Sequence, residues 1–261
     1  METVRHDGRE TAYRLAGEDG AVGDAVALYV HGSGATHRLW AAQYGPDGPL
    51  RPAAALDLSG HGDSADVTTD PGPATLDAYA RDVIAVAEAT GADALVGNSL
   101  GGAVVLRIAL DTDFDPGALV LAGTGAKLGV DERLREWLAD DFDRAVDVLH
   151  EPDRLFHDAD ERTLDRSREQ MRATGQSVTR RDFLTCHAFD VRDRLDEIAL
   201  PALAVVGEHD SLTPPSYHEF LADRLPDCEY VEIPDAAHLA MVERTGAFDR
   251  TVGRFLDSLD G

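Results

Sequence analysis

The sequence predicts an α/β fold in which a mostly parallel sheet carries helices on both faces. Short apolar runs with turn-forming residues at their ends alternate along the 261-residue chain with longer segments of helical period. Most of the apolar runs are continuous, which is typical of strands that are buried on both faces of a sheet. A chain of this length can bury a substantial core, so we expect one domain with an insertion.

Individual elements follow from these two patterns. Seven apolar runs are predicted as strands, at residues 11–15, 25–30, 53–58, 93–96, 118–121, 202–206 and 229–233. Three segments with apolar residues recurring on one face are predicted as helices, at residues 76–90, 100–110 and 247–259.

A long charged segment separates the predicted strands 118–121 and 202–206. Helical periodicity recurs within it, for example at residues 131–149 and 161–172. A parallel crossover needs only a dozen or more residues, so most of this segment is surplus to a simple connection. We therefore expect an inserted helical cap, with ordinary crossover helices as the alternative.

The charge of the chain is strongly unbalanced. Forty-nine acidic residues oppose 24 basic ones, the formal net charge is -25, and Lys127 is the only lysine. The acidic residues are spread along the whole chain, and charge of this size destabilises a compact state by self-repulsion unless salt screens it. The composition favours adaptation to high salt over an ordinary acidic protein. Nucleic acid is not an expected partner, because no basic stripe appears.

Location and redox state are predicted from absences in the sequence. No run of eighteen apolar residues occurs, and the charged first residues lead into no apolar segment, so we expect a cytoplasmic protein without a signal peptide or membrane span.

The chain has two cysteines. Cys186 and Cys228 lie far apart without ligand-like spacing. We expect two reduced thiols, with neither a disulfide nor a zinc site.

Ser99 is the candidate nucleophile. It lies in Gly97-Asn98-Ser99-Leu100-Gly101-Gly102, which directly follows a predicted strand and precedes a predicted helix. A Gly-x-Ser-x-Gly turn in that context presents the serine hydroxyl at the carboxyl edge of the sheet. The N–H of Leu100, at the start of the helix, would then face a developing oxyanion. A glycine-rich corner with an incidental serine is the alternative.

A serine hydroxyl needs a base to take its proton, and that base needs a carboxylate to orient it. Asp210 follows the predicted strand 202–206, and His238 follows the predicted strand 229–233. Both side chains should therefore lie at the sheet edge that carries Ser99. We predict that the three residues form a catalytic triad, with a solvated aspartate and a surface histidine as the alternative.

A second oxyanion donor is expected after the strand that ends at residue 30. The chain reads His31-Gly32-Ser33-Gly34 there, and the backbone N–H of Ser33 is the first choice, with Gly34 close behind. His31 is interpreted as a structural loop histidine. A dinucleotide-binding Gly-x-Gly is the alternative, but the third glycine is missing and no helix follows cleanly.

Two further polar groups are interpreted as structural. Glu208 and His209 precede Asp210, but neighbours one residue away on an extended loop point elsewhere. Residues 57–64 are rich in turn formers and contain His61 among acidic residues, without a second histidine at ligand spacing. The sequence therefore predicts no metal and no other cofactor.

Five motifs in order resemble the α/β-hydrolase family: residues 31–34, 57–64, 97–102, 207–210 and 237–238. The resemblance implies an α/β-hydrolase fold with an eight-stranded core sheet and a helical cap after the sixth strand. Residues 1–122 and 198–261 would form the core, and residues 123–197 the cap. Serine rather than aspartate at position 99 implies acyl chemistry.

Two subfamilies are most similar in motif. Ser33-Gly34 and residues 97–102 are similar to the hydrolases that cleave carbon–carbon bonds in aromatic ring-fission products. Residues 210–215 and 236–239 are similar to the 3-oxoadipate enol-lactonases. The carbon–carbon hydrolases usually have glycine before the catalytic histidine and tryptophan after it, where this chain has alanine and leucine. That difference favours ester or lactone hydrolysis.

The sequence thus predicts a serine hydrolase of the carboxylesterase or enol-lactonase type, which cleaves a small-molecule ester or lactone through an acyl-enzyme. A carbon–carbon bond hydrolase, a lyase or perhydrolase, and a non-catalytic ligand-binding module of the same fold stay open. Seven apolar residues of the expected cap are candidates for the substrate pocket or for the core of the cap: Leu134, Trp137, Leu138, Phe142, Leu155, Phe156 and Phe183.

Overall fold

A computed structural model describes residues 1–17, 26–46, 48 and 52–259 of the chain. Within these residues the strands are β1 (Glu2–His6), β2 (Arg9–Ala16), β3 (Val26–Val30), β4 (Ala53–Leu56), β5 (Ala92–Asn98), β6 (Ala118–Ala122), β7 (Ala202–Gly207) and β8 (Cys228–Ile233). They form one sheet with the order β1-β2-β4-β3-β5-β6-β7-β8. Strand β2 is antiparallel to both of its neighbours, β1 and β4, and the other neighbouring strands are parallel.

Helices cover both faces of the sheet, because successive residues of the central strands point to opposite sides. The helices are α1 (Pro73–Thr90), α2 (Leu100–Asp111), α3 (Glu132–Asp140), α4 (Phe142–Leu149), α5 (Glu161–Thr174), α6 (Gln176–Ala188), α7 (Pro215–Arg224), α8 (Ala240–Glu243) and α9 (Thr245–Asp257). Leu28 and Val30 of β3 belong to an apolar cluster with residues of α1, α2 and α7, whereas Ala27 and Tyr29 belong to a second cluster with residues of α8 and α9. No helix of the described residues is both long and apolar enough to cross a membrane.

The predicted α/β-hydrolase fold is confirmed, and each of the seven predicted strands coincides with an observed one. Residue 25, the predicted start of β3, lies outside the described residues. The predicted strand 53–58 ends early, at Leu56. The carboxylate of the next residue, Asp57, accepts the backbone N–H groups of His37 and Asp63 in the loop region. Strand β1 was not predicted, because its side chains are mostly exposed and show no apolar run.

Four helices, α3–α6, lie between β6 and β7, which are neighbours in the sheet. The predicted helix 131–149 is two helices, because the chain leaves helical geometry at Asp141. The Asp141 carboxylate accepts the N–H of Arg144 and caps α4, just as Asp131 caps α3. The cap boundaries at 123 and 197 stay a prediction.

Parallel strands bring the candidate site residues to one edge of the sheet. Strands β3, β5, β7 and β8 all end at the same side. The loops that follow them carry Ser33, Ser99, Asp210 and His238 respectively.

Candidate active site

Ser99 occupies the turn between β5 and α2 with φ +54° and ψ -115°. A positive φ is rare for a residue with a side chain, and such a conformation destabilises the backbone by about 1–3 kcal/mol. The surrounding chain holds it in place. The Ser99 N–H donates to Ala122 O at 3.0 Å, and the Ser99 carbonyl accepts Gly102 N–H at 2.9 Å and Thr124 Oγ1–H at 2.8 Å.

The turn around Ser99 requires glycine on both sides. A Cβ atom at Gly97 would lie 2.4 Å from the carbonyl oxygen of Gly101, and one at Gly101 would lie 2.3 Å from that of Val30. Real side chains do not approach backbone oxygens so closely, so α2 can begin this near β5 and β3 only with glycine at these positions.

Asp210 and His238 form a buried pair. Asp210 Oδ2 lies 2.8 Å from His238 Nδ1, and the two residues are 2% and 5% exposed. Asp210 Oδ1 also accepts the N–H groups of Leu212 and Thr213, at 2.8 and 2.9 Å. Burial alone would raise the pKa of Asp210, but His238 and the Thr213 hydrogen bonds outweigh it and hold the pKa below its ordinary value. The carboxylate is therefore ionised and accepts the Nδ1 proton.

Thr213 was missed at the level of sequence. Its hydroxyl donates to Asp210 Oδ2 at 2.8 Å and lies 3.2 Å from His238 Nδ1. It thus holds one carboxylate oxygen while the backbone N–H groups hold the other. The available signal was a threonine three residues after an aspartate, a spacing at which the aspartate side chain commonly accepts local backbone N–H groups.

One cavity of about 860 Å³ brings the candidate residues together. Ser99, His238, Ser33 and Gly34 all line it. Of the seven predicted pocket residues, four line the cavity: Leu134, Leu155, Phe156 and Phe183. The other three, Trp137, Leu138 and Phe142, do not line it, and all seven belong to the apolar cluster on that face of the sheet.

Asp210 lies behind His238 and does not line this cavity. Among the described residues, no hydrogen bond joins the Ser99 hydroxyl to His238. Catalytic hydrogen bonds are often long or misaligned before substrate binds.

Hydrogen bonds to the carbonyl oxygens fix the orientation of two peptide groups near the Ser99 side chain. The Ser99 carbonyl accepts hydrogen bonds from Gly102 and Thr124. The N–H of Leu100 belongs to the same peptide group and lies trans to that carbonyl, so it points in the opposite direction. The Gly32 carbonyl accepts His31 Nδ1–H at 2.8 Å and Ala35 N–H at 3.3 Å, so the N–H of Ser33 is likewise directed away from those donors.

His31 orients this peptide as a neutral side chain. It is fully buried, its Nε2 accepts Leu58 N–H at 3.1 Å, and burial lowers its pKa to about 4. Since Nε2 accepts, Nδ1 carries the proton that is donated to Gly32. These contacts match the structural role expected from the sequence.

Gly34 is held by the inserted helices. Its N–H donates to Asp182 Oδ2 of α6 at 3.3 Å, and its carbonyl accepts Thr174 Oγ1–H of α5 at 3.0 Å. Asp182 is fully buried and also bonds His61 Nε2 at 2.9 Å and the Tyr79 hydroxyl at 2.7 Å. Burial opposes a charge on His61, but the Asp182 carboxylate raises the pKa of His61 above its ordinary value. Sequence reasoning missed Asp182.

The other groups interpreted from the sequence lie outside this arrangement. Glu208 and His209 do not line the cavity, and Glu208 Oε2 accepts the N–H of Asp235 at 3.3 Å.

The two cysteines lie in different places. Cys186 lines the cavity with its sulfur 3.9 Å from Ser33 Oγ, whereas Cys228 is the first residue of β8. Both cysteines are free thiols.

Comparison with known proteins identifies the family of the chain. A model of the alpha/beta hydrolase family matches residues 27–251. A pimeloyl-[acyl-carrier protein] methyl ester esterase of Neisseria meningitidis is 28% identical over 246 residues, which are 86% of this chain and 91% of that protein.

Two solved structures are similar over nearly the whole chain. The structure of a thermophilic esterase has a TM-score of 0.86 and 29% sequence identity, and the match covers 99% of this chain and 97% of the esterase chain. The enol-lactonase from Burkholderia xenovorans LB400 has a TM-score of 0.84 and 26% sequence identity, and the match covers 98% of this chain and 100% of the enol-lactonase chain.

Proposed function

Because this chain is an ester hydrolase of the alpha/beta hydrolase family, we propose that Ser99, Asp210 and His238 are its catalytic triad. It would cleave a carboxylic ester or lactone of a small molecule through an acyl-enzyme. One observation carries this proposal: the Asp210–His238 pair is buried at the sheet edge where Ser99, in a left-handed turn, lines the same cavity as His238.

The mechanism follows from the protonation state of the pair. Ionised Asp210 accepts the Nδ1 proton of His238, which leaves Nε2 with a free lone pair. His238 removes the Ser99 proton as Oγ attacks the carbonyl carbon, and then gives that proton to the departing alkoxide. A water molecule deprotonated by His238 attacks the acyl-enzyme, the bond between the acyl carbon and Ser99 Oγ breaks, and His238 returns the proton to Oγ as the acid is released.

The oxyanion would be stabilised by the N–H groups of Leu100 and Ser33. Ser33 is preferred to Gly34 because the Gly34 N–H already donates to Asp182. Preorganised donors of this kind stabilise the charge that develops in the transition state without reorganisation during the reaction.

The cavity favours a substrate with an apolar portion. Leu128, Val130, Leu134, Phe156 and Phe183, all from the segment between β6 and β7, line it together with apolar residues of the core. We propose that this segment, residues 123–197, acts as a cap that excludes bulk water from the acyl-enzyme. The esterase and enol-lactonase names of the similar proteins are consistent with an ester or lactone.

We further propose a cytoplasm of high salt as the working environment, supported by the net charge of -25. In dilute buffer, repulsion between the acidic residues would weaken the folded state.

A fluorophosphonate probe tests the nucleophile. In concentrated KCl, the folded protein should be labelled once, and Ser99→Ala should abolish labelling, whereas the control Ser177→Ala, at an exposed position of α6, should not. A panel of esters, enol-lactones and ring-fission dienones then tests the substrate class. Ester turnover undiminished in Ser99→Ala would refute the nucleophile assignment, and turnover of the dienones alone would replace ester hydrolysis with carbon–carbon cleavage.

A further inference from the structure

We propose that Asp153, His157 and His209 form a binding site for one zinc-like divalent transition-metal ion, outside the catalytic cavity. Each residue offers one ligand atom, and the three atoms all lie within 4.8 Å of one another. None of the three lines the cavity. Two imidazoles and one carboxylate are a ligand set suited to zinc and similar ions, whereas calcium and magnesium prefer oxygen ligands alone.

The backbone beneath the three residues is fixed by hydrogen bonds. Asp153, in the loop between α4 and α5, donates its N–H to Phe156 O at 2.9 Å, and its carbonyl accepts Ser211 N–H at 2.9 Å. The N–H of His157 donates to a carboxylate oxygen of Glu243 at 2.8 Å. These contacts place two of the ligands on one tight loop.

His209 approaches that loop from the end of β7. Its N–H donates to Ala236 O at 2.8 Å, which fixes its backbone against the loop that follows β8. The side chains of Asp153, His157 and His209 are 51%, 31% and 35% exposed, so an ion can reach them from solvent and they are free to rotate.

The proposed ligand groups contact one another in the structure. Asp153 Oδ1 lies 2.6 Å from His157 Nδ1, and the imidazoles of His157 and His209 are stacked with their centroids 3.8 Å apart. Ligand atoms around a tetrahedral zinc ion are about 3.3 Å apart, given bonds of about 2.0–2.1 Å. Binding therefore requires the carboxylate to withdraw slightly and one imidazole to tilt out of the stack. Both changes are rotations of partly exposed side chains.

Neighbouring carboxylates favour a cation here. Glu208 Oε2 lies 3.9 Å from His209 Nε2 and could supply a fourth ligand. The carboxylate of Glu243 accepts the N–H groups of His157, Asp158 and Ala237, and so joins the loop between α4 and α5 to the loop after β8. These hydrogen bonds fix the backbone next to His157, so the position of this ligand does not depend on the ion.

The position of the site indicates what the ion would do. His209 adjoins Asp210, the Asp153 carbonyl holds Ser211, and the carbonyl of Arg154 accepts the N–H of His238 at 3.2 Å. An ion would clamp the loop between α4 and α5 to the two loops that carry Asp210 and His238. It would stabilise the folded protein without contacting substrate.

Zinc binding to untagged, chelator-treated protein tests this proposal. Isothermal titration with Zn²⁺ should show one site per chain, and Zn²⁺ should raise the thermal midpoint. His157→Gln and His209→Gln should each weaken binding at least tenfold and remove the thermal shift. The control His187→Gln, at an exposed position of α6, should keep both. Co²⁺ should give visible absorption bands in the wild type that both cluster variants lack.

Two results would overturn the proposal. One is the absence of a stoichiometric site in the wild type, and the other is binding that persists in both cluster variants but is lost in Cys228→Ser. The inactive variant Ser99→Ala should bind Zn²⁺ as the wild type does, so this result does not depend on the proposed catalytic function.

Discussion

The carboxylate of Asp182 accepts the backbone N–H of Gly34, with 3.3 Å between Oδ2 and N. This contact joins α6, one of the helices between β6 and β7, to the loop that carries the proposed oxyanion donor Ser33. Since Asp182 is fully buried and does not line the cavity, we expect any effect on the reaction to pass through the groups that it bonds.

We predict that Asp182→Asn lowers kcat by about tenfold to a hundredfold, because a displaced oxyanion donor stabilises the transition state less. The free energy of unfolding should fall by about 2–4 kcal/mol, since His61 and Tyr79 lose a charged partner. Steady-state kinetics and urea unfolding measure the two effects, and Asp165→Asn, at an exposed position of α5, is the control. A loss of stability with unchanged kcat would show that the contact is structural only.

The left-handed backbone at Ser99 predicts a gain in stability from removing the side chain entirely. Ser99→Gly should be more stable than the wild type by about 1 kcal/mol, because glycine adopts positive φ without steric conflict. Ser99→Ala keeps its Cβ atom and should show no such gain. Both variants should be inactive, and denaturant unfolding compares them. Equal stability of the glycine and alanine variants would contradict the prediction.

Two buried histidines predict that the protein loses stability in mild acid. Burial lowers the pKa values of His31 and His218 to about 4, and each Nε2 already accepts a backbone N–H, from Leu58 and Thr124 respectively. In the unfolded chain both groups bind a proton near pH 6.5, so stability present above that pH is lost progressively as the pH falls toward about 4.

Substituting one of the two histidines measures its contribution to the pH dependence of the free energy of unfolding. His218→Gln should reduce the slope of unfolding free energy against pH by about 1.4 kcal/mol per pH unit within that interval. Urea unfolding at several pH values measures the slope. An unchanged slope in the variant would mean that His218 is protonated in the folded protein.

The net charge predicts a requirement for salt. Lowering KCl from molar concentrations to tens of millimolar should lower both the thermal midpoint and the activity, because repulsion among 49 acidic residues is then less screened. Sucrose is the matched control, since it favours compact states without screening charge. Full stability in dilute buffer, or equal rescue by sucrose, would contradict adaptation to salt.

The sequence predicted the parts of the molecule that depend on local pattern. Continuous apolar runs identified the central strands, and the ends of those strands located Ser99, Asp210 and His238. Strand β1 was not predicted, because this exposed strand at the edge of the sheet has no continuous apolar run. The break at Asp141 was missed because helical period continues on both sides of it.

The polar contacts that tertiary packing creates could not be predicted in this way. Asp182 meets Gly34 and His61 across more than a hundred residues of sequence. Asp153 and His209 meet only because the loop between α4 and α5 returns to the end of β7. Sequence spacing carries no information about such contacts. The contact of Thr213 with Asp210 was missed as well, although it is local and its spacing offered a signal.

The chain leaves the sheet at Ala122 and re-enters it at Ala202, in the adjacent strand. Strands β6 and β7 are neighbours in the sheet, so the helices between them can be lengthened, shortened or exchanged while the register of every strand is preserved. If the proposed role of the cap holds, exchanging this module would change which substrate is recognised without disturbing the strands that position Ser99, Asp210 and His238. The link from Asp182 to Gly34 sets one limit on that freedom: a transplanted module must also bring a partner for the Gly34 N–H.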